Sequence, residues 1–134
     1  MITWNNLDTL TSFKELENVE RVDLVKAMAG ENGAERVKNY SVPMAEGLTY
    51  NYAAKQVDDK VLAALAKLAD EAQLTEKFEA LYNGEVINTG EKRLVLHHMT
   101  RGQLGEAVEA DGVDKRTFYT EQQAKIADFA NKVH

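Results

Sequence analysis

Apolar positions recur along this chain at spacings that change several times, and each change marks an element. Leu7, Leu10, Phe13 and Leu16 fall three apart, the spacing of one helical face, with Asn6 or Asp8 able to cap the start. Val22, Val25 and Met28 continue that period in a second helix. Gly30 is placed as its C-terminal stop, and Glu31 to Gly33 then read as a turn. From Tyr40 the period drops to two. Tyr40, Val42 and Met44 alternate with polar or small residues, and Leu48, Tyr50 and Tyr52 do so again beyond Glu46-Gly47. That predicts a β-hairpin at about residues 39–53 with one apolar face. Pro43 is then confined to an edge or to the unpaired side of its strand, since it has no N–H for a ladder.

The second half returns to the helical period. Asp58 caps the clearest helix, about Asp59 to Ala72, whose stripe is Val61, Leu62, Leu65, Leu68 and Ala69. Thr75 caps a shorter helix carrying Phe78, Leu81 and Tyr82, ended by Asn83-Gly84. In GEVINTGEKRLVLHHMTR, residues Gly84 to Arg101, the second half reads as an amphipathic helix stopped by Gly102. Arg93, His97 and Arg101 recur there every four residues, against apolar Leu94, Val95, Leu96 and Met99. Gly105 to Gly112 reads as loop or frayed turn. Thr120 and Gln123 form a capping box ahead of Ile126, Phe129, Ala130 and Val133, in a helix with no stop signal before His134, as expected of a truncation. The sum is a mainly α fold with one small β-hairpin, an α-rich α+β domain spanning residues 1–134.

Composition narrows the function classes. The 134 residues suit one compact domain, with 44% hydrophobic and 28% charged residues, far from the disordered class. A net charge of −6 argues against nonspecific nucleic-acid binding. Cysteine is absent, which removes disulfides, thiolate metal sites and thiol nucleophiles and fits a reducing cytoplasm. Met1 to Leu10 hold no signal-peptide pattern, and the longest apolar run, Val61 to Ala66, is far short of a membrane span.

Chemistry-bearing side chains cluster in one place. The Arg93, His97, Arg101 row suits a phosphate or carboxylate, or else pairs with nearby Glu and Asp. His97-His98 does not read as a metal pair, because adjacent helical positions point about 100° apart. Gly102 to Gly105 lacks the spacing and the following Lys-Ser/Thr of a phosphate loop. The carboxylates at Asp58-Asp59 and at Glu106, Glu109 and Asp111 sit in capping or solvated contexts, and Tyr40, Tyr50 and Tyr52 read as packed hairpin faces. No catalytic residue, metal site or cofactor is assigned from the residues themselves.

The same stretch resembles G-E-x-I-N-x-T-E-x-R-A-V-L-H-x-A-L-R of the glucose-6-phosphate isomerase family. The resemblance runs on collinearly over about residues 31 to 134. Glu35-Arg36 with Tyr40-Ser41-Val42 looks like the family's E-R-F-S entry to a hairpin, and Leu48 to Tyr52, LTYNY, is similar to its returning strand. Val61 to Ala72, Tyr82 to Ile87 and Val108 to Gly112 are similar to the pieces that follow. Gly90 stands where the motif has Thr, Leu94, Met99 and Thr100 replace Ala, Ala and Leu, and Asn51 and Ala53 depart from D-Y-S, as in a divergent branch.

The resemblance implies the N-terminal helical part of a cytoplasmic, homodimeric, metal-free enzyme of glycolysis and gluconeogenesis. Its remaining domains would be α/β, and its substrate a sugar phosphate isomerised through a cis-enediol. The family's phosphate loop, Glu base, ring-opening His and charge-steadying Lys and Arg lie beyond these residues. The segment alone is therefore expected to be structural and inactive, with Arg93, His97 and Arg101 supporting the site from outside direct substrate contact. The alternatives are a free-standing helical protein-interaction module without catalysis, and a small anion-binding domain that uses the basic row.

Overall fold

The computed structural model describes residues 1–102 and 105–133. They fall into two compact units, Asn5–Ala72 and Met1–Trp4 with Gln73–His134. The fold is mainly helical with small antiparallel hairpins.

In the first unit the stripe from Leu7 forms two pieces rather than one helix. A 3₁₀ turn, Leu7–Thr9, precedes α1, Thr11–Glu17, and the buried Leu10 between them is extended. Neither Asn6 nor Asp8 caps α1. Its free N–H groups go to the Glu71 carboxylate, which accepts from Thr11 at 3.2 Å and Ser12 at 2.7 Å and also takes the Ser12 hydroxyl. The cap thus arrives from a residue remote in sequence, which local spacing cannot disclose.

Helix α2, Leu24–Ala27, is a single turn capped by Asp23, whose carboxylate accepts from the Lys26 N–H at 3.2 Å. Gly30 is not a stop: at φ +58° it turns the chain straight into α3, Gly30–Asn39, so Glu31 to Gly33 form the first helical turn there. Gly33 lies so close to the Met28 carbonyl that a Cβ would overlap it.

The hairpin forms where the alternation places it, with β1, Ser41–Pro43, paired to β2, Thr49–Asn51, in the register Val42↔Tyr50. The Met44 N–H donates to Leu48 and the Tyr52 N–H to Tyr40, at 2.7 and 2.9 Å. Pro43 falls between these bonded positions, where an N–H would point away from the partner strand. Glu46 and Gly47, at φ +58° and +74°, make the turn.

Arg36 then ties the chain that leaves the hairpin. Its buried guanidinium donates to the carbonyls of Ala53, Lys55 and Val57 at 2.8, 3.0 and 2.5 Å and lies 4.2 Å from the Tyr40 ring centre. Beyond it α4, Asp59–Glu71, has the predicted Asp58 cap, accepting from the Val61 N–H at 2.9 Å, and packs on α1.

In the second unit α5, Leu74–Tyr82, starts after Gln73 in a left-handed conformation, so Thr75 lies inside the helix and caps nothing. Its end is the predicted one. Gly84 at φ +71° lets its N–H reach the Leu81 carbonyl at 3.2 Å and the Glu85 N–H reach Ala80 at 2.9 Å, a Schellman ending with Val108 pressed against the glycine.

The stretch expected to be loop at Gly105 to Gly112 holds a second hairpin, β3, Glu109–Ala110, with β4, Val113–Asp114. Asp111-Gly112, at φ +55° and +72°, is its two-residue turn. Asp114 then caps α6, Lys115–Val133, accepting from the N–H groups of Arg116 and Thr117 at 3.1 and 3.2 Å. The capping box expected at Thr120 and Gln123 is absent, because both lie inside α6. The Thr120 hydroxyl donates to the Arg116 carbonyl, and the Gln123 amide to that of Thr100. Among the described residues no helix is long and apolar enough to cross a membrane.

Candidate functional site

The second half of residues 84–101 does not form the expected amphipathic helix. After Glu85 the chain makes a tight loop closed by a bridge, with the N–H groups of Asn88 and Arg93 each donating to the other's carbonyl at 3.3 and 3.2 Å. Asn88 fixes the loop from inside: its side-chain oxygen accepts from the Glu91 N–H at 3.1 Å and its amide donates to the Glu91 carboxylate at 3.3 Å. Lys92 sits at φ +53°, a conformation that a helix through 91–101 excludes. Only His97–Thr100 of that stretch are helical, as one 3₁₀ turn. Asn88-Thr89-Gly90 carries the signal for this loop, since an Asx-type turn competes directly with helix.

The row of basic groups therefore dissolves. The Arg93 guanidinium lies on the exposed loop 3.8 Å from the Glu91 carboxylate, a local pairing of the kind weighed against ligand contact. His97 is exposed and contributes its carbonyl to the Thr100 hydroxyl at 2.8 Å. Arg101 follows the 3₁₀ turn, also exposed. Among the described residues no hydrogen bond, ion pair or ring contact links these three side chains. The turn is seated by its other residues: Met99 is fully buried, and the His98 ring stacks on Tyr82 with centres 4.7 Å apart.

Tyr82 is the hub of this neighbourhood. Its carbonyl accepts from Arg116 at 2.8 Å, and the same guanidinium donates to the Glu106 carbonyl at 2.5 Å and approaches the Tyr82 ring to 6.0 Å. Among the described residues, Arg116 Nη1 and His98 Nε2 are buried without a hydrogen-bond partner. Met99, Val108 and Arg116 are buried in this neighbourhood.

Two concave surfaces lie in the first unit. One is an apolar groove of about 360 Å³ lined by Val42, Tyr50, Tyr52, Lys55, Val57, Leu62 and Leu65. The hairpin tyrosines pack on one another beside it, Tyr50 on Tyr52 with centres 6.0 Å apart. The other, about 340 Å³, is polar and includes Glu17, Glu20 and Arg21. Neither gathers a nucleophile with a base. Of the paired carboxylates, Asp58 caps α4 and Asp59 accepts from the Tyr40 hydroxyl at 3.2 Å. Desolvation and that bond raise the Tyr40 phenol above its ordinary pKa. Asp111 pairs with Lys115 at 3.5 Å. Among the described residues no three His, Cys, Asp or Glu side chains converge as a metal-ligand set.

Comparison with known proteins supplies what the geometry does not. A family model described as Phosphoglucose isomerase matches residues 51–134. A glucose-6-phosphate isomerase of Treponema denticola is 51% identical over 98% of this chain and 26% of its own length. That of Treponema pallidum (strain Nichols) is 40% identical over 99% of the chain and 26% of its own length. The crystal structure of a glucose-6-phosphate isomerase from Chlamydia trachomatis superposes with a TM-score of 0.71 at 28% identity, over 93% of this chain and 25% of that one. The chain thus spans about a quarter of the length of the relatives it matches.

Proposed function

The chain belongs to the phosphoglucose isomerase family, and we propose that it is the N-terminal helical segment of a glucose-6-phosphate isomerase. The whole enzyme interconverts glucose 6-phosphate and fructose 6-phosphate in the cytoplasm, as a homodimer without metal or cofactor. The observation that carries this reading is 51% identity sustained over 98% of the chain to an enzyme of that name.

The reaction moves a proton between C2 and C1 through a cis-enediol. It needs an oriented base, an acid to open the ring and fixed positive charge around the enediolate. In the resemblance that supports this reading, the groups that supply these lie beyond residues 1–134. On this reading the segment, a single N-terminal domain of the longer enzyme, is structural, and the exposed Arg93, His97 and Arg101 support the site only from outside direct substrate contact. Exposed apolar side chains on α5 and α6, such as Phe78 and Phe129, favour the second reading, a free-standing interaction module.

A chimera separates the two. Residues 1–134 of this chain replace the matched segment of the Treponema denticola enzyme, and conversion of fructose 6-phosphate is followed by a coupled assay. The expected result is a folded chimera with isomerase activity, while the purified 134-residue chain shows none. A folded but inactive chimera overturns the reading in favour of the interaction module, and turnover by the isolated chain overturns the structural role.

A further inference from the structure

We propose that Asn83-Gly84 is a self-modification site: its amide is lost through a cyclic imide, and the aspartate formed there supplies the carboxylate that the buried Arg116 lacks.

Two Asn-Gly pairs occur in the chain, Asn32-Gly33 and Asn83-Gly84. In such a pair the glycine backbone nitrogen attacks the side-chain carbonyl carbon of the asparagine. A new N–C bond forms, the bond to the amide nitrogen breaks, and that nitrogen leaves as ammonia with the proton from the glycine N–H. Water then opens the five-membered imide at either carbonyl, giving aspartate or isoaspartate. Glycine favours closure because no Cβ crowds the ring.

The step also needs a backbone free to turn, and here the two pairs part. Asn32 lies in the first turn of α3, and Gly33 is buried so close to the Met28 carbonyl that it has no room for a Cβ. Asn83 is exposed at the C-cap of α5, with φ −81° and ψ 1°. The Gly84 N–H has a 3.2 Å bond to the Leu81 carbonyl to release, at a helix end, where local opening costs least.

The surroundings give the product its effect. Arg116, 6% exposed, donates to the carbonyls of Tyr82 and Glu106, and among the described residues no carboxylate pairs with it. Its Nη1 has no partner there. A buried guanidinium met by neutral oxygens alone is incompletely compensated. Tyr82 immediately precedes Asn83. Asn83 Oδ1 and Arg116 Nη2 border one space beside Gly105, 4.0 and 3.0 Å from the point a Cβ would occupy. Deamidation turns the neutral amide on that space into a negative charge.

The test holds the 134-residue chain at mildly alkaline pH and follows both asparagines by peptide mass mapping, with released ammonia assayed alongside. Conversion at Asn83 should run at least about tenfold faster than at Asn32, a ratio equivalent to roughly 1.4 kcal/mol of protection. In urea the two rates should converge. Comparable rates without urea, or a slower Asn83, overturn the site. The pairing is read on Asn83→Asp by NMR titration. A helix C-terminus by itself raises a carboxyl pKa, so a carboxyl titrating below the ordinary aspartate value of about 3.9 reports the guanidinium. Titration at or above that value overturns the pairing.

Discussion

Arg36 in the first unit and Arg116 in the second are both buried, and both spend their guanidinium on carbonyls of irregular backbone. Arg36 serves Ala53, Lys55 and Val57, between hairpin and helix; Arg116 serves Glu106 and Tyr82, from opposite sides of a loop. Backbone that belongs to no ladder still needs partners when buried, and a planar fork with five donors reaches several carbonyls at once. The fit differs. Among the described residues Arg36 leaves no buried nitrogen unpartnered, while Arg116 leaves Nη1. The two staples therefore differ in fit, and their removal should not be equivalent.

Replacing Arg36 by Met should be the most damaging change, about 3 kcal/mol or more, because three carbonyls lose charge-assisted donors together. Arg36→Lys should recover less than half, since one ammonium cannot span the three. Arg116→Met should cost only about 1–2 kcal/mol, because two bonds are lost while an unpaired buried donor disappears with them. Urea titrations of the three variants, with hydrogen exchange to locate the loosened unit, check the ranking. Equal losses for the two arginines would break the comparison and place an unseen partner on Nη1.

Two glycines sharpen the contrast at the next size of effect. Gly84 and Gly47 hold nearly the same left-handed angle, φ +71° and +74°. Alanine at Gly47 meets open space, so only the backbone penalty applies, about 1 kcal/mol. At Gly84 the new methyl would overlap the Val108 side chain, adding about 1–2 kcal/mol of overpacking. Thermal melts should rank Gly84→Ala well below Gly47→Ala. Val108→Ala should absorb part of the Gly84 effect and none of the Gly47 effect, a coupling that a double-mutant cycle reads directly.

The same two regions mark what was legible in the residues. Helix α4 and the β1–β2 hairpin came through because cap, stripe and alternation agree locally at Asp58, Val61 and Tyr40 to Tyr52. The ending of α5 at Asn83-Gly84 was equally plain. The α1 cap was not, since Glu71 comes from the far end of another helix. The Arg93, His97, Arg101 row failed for a different reason. Its period rests on charged residues that carry no burial energy, and Asn88 and Gly90 already specify a turn. Asp111-Gly112 is a two-residue hairpin signal, but its strands are only two residues long and show no alternation. The site itself was legible only as kinship: the residues that carry the family resemblance are seated by Met99 and His98.

The smallest effect compares one helix-capping carboxylate from each unit, Glu71 and Asp114. Glu71 is held below its ordinary pKa by the hydroxyl and N–H of Ser12, and Asp114 chiefly by the Thr117 hydroxyl, then by backbone N–H groups of Arg116, Thr117 and Val108. A depressed folded-state pKa means stability that is complete above the unfolded values, about 4.3 for Glu and 3.9 for Asp, and is lost as pH falls through the folded ones. Both contributions should therefore be flat from pH 7 to about 5 and fade only below about pH 4. Asn or Gln keeps an acceptor oxygen but cannot titrate. Asp114→Asn should flatten the acid loss of exchange protection in residues 105–133 alone, and Glu71→Gln should flatten it in residues 5–72 alone. If either substitution flattened both regions, the units would share one acid transition, and the separate stapling of each by its own arginine would no longer describe how the chain comes apart.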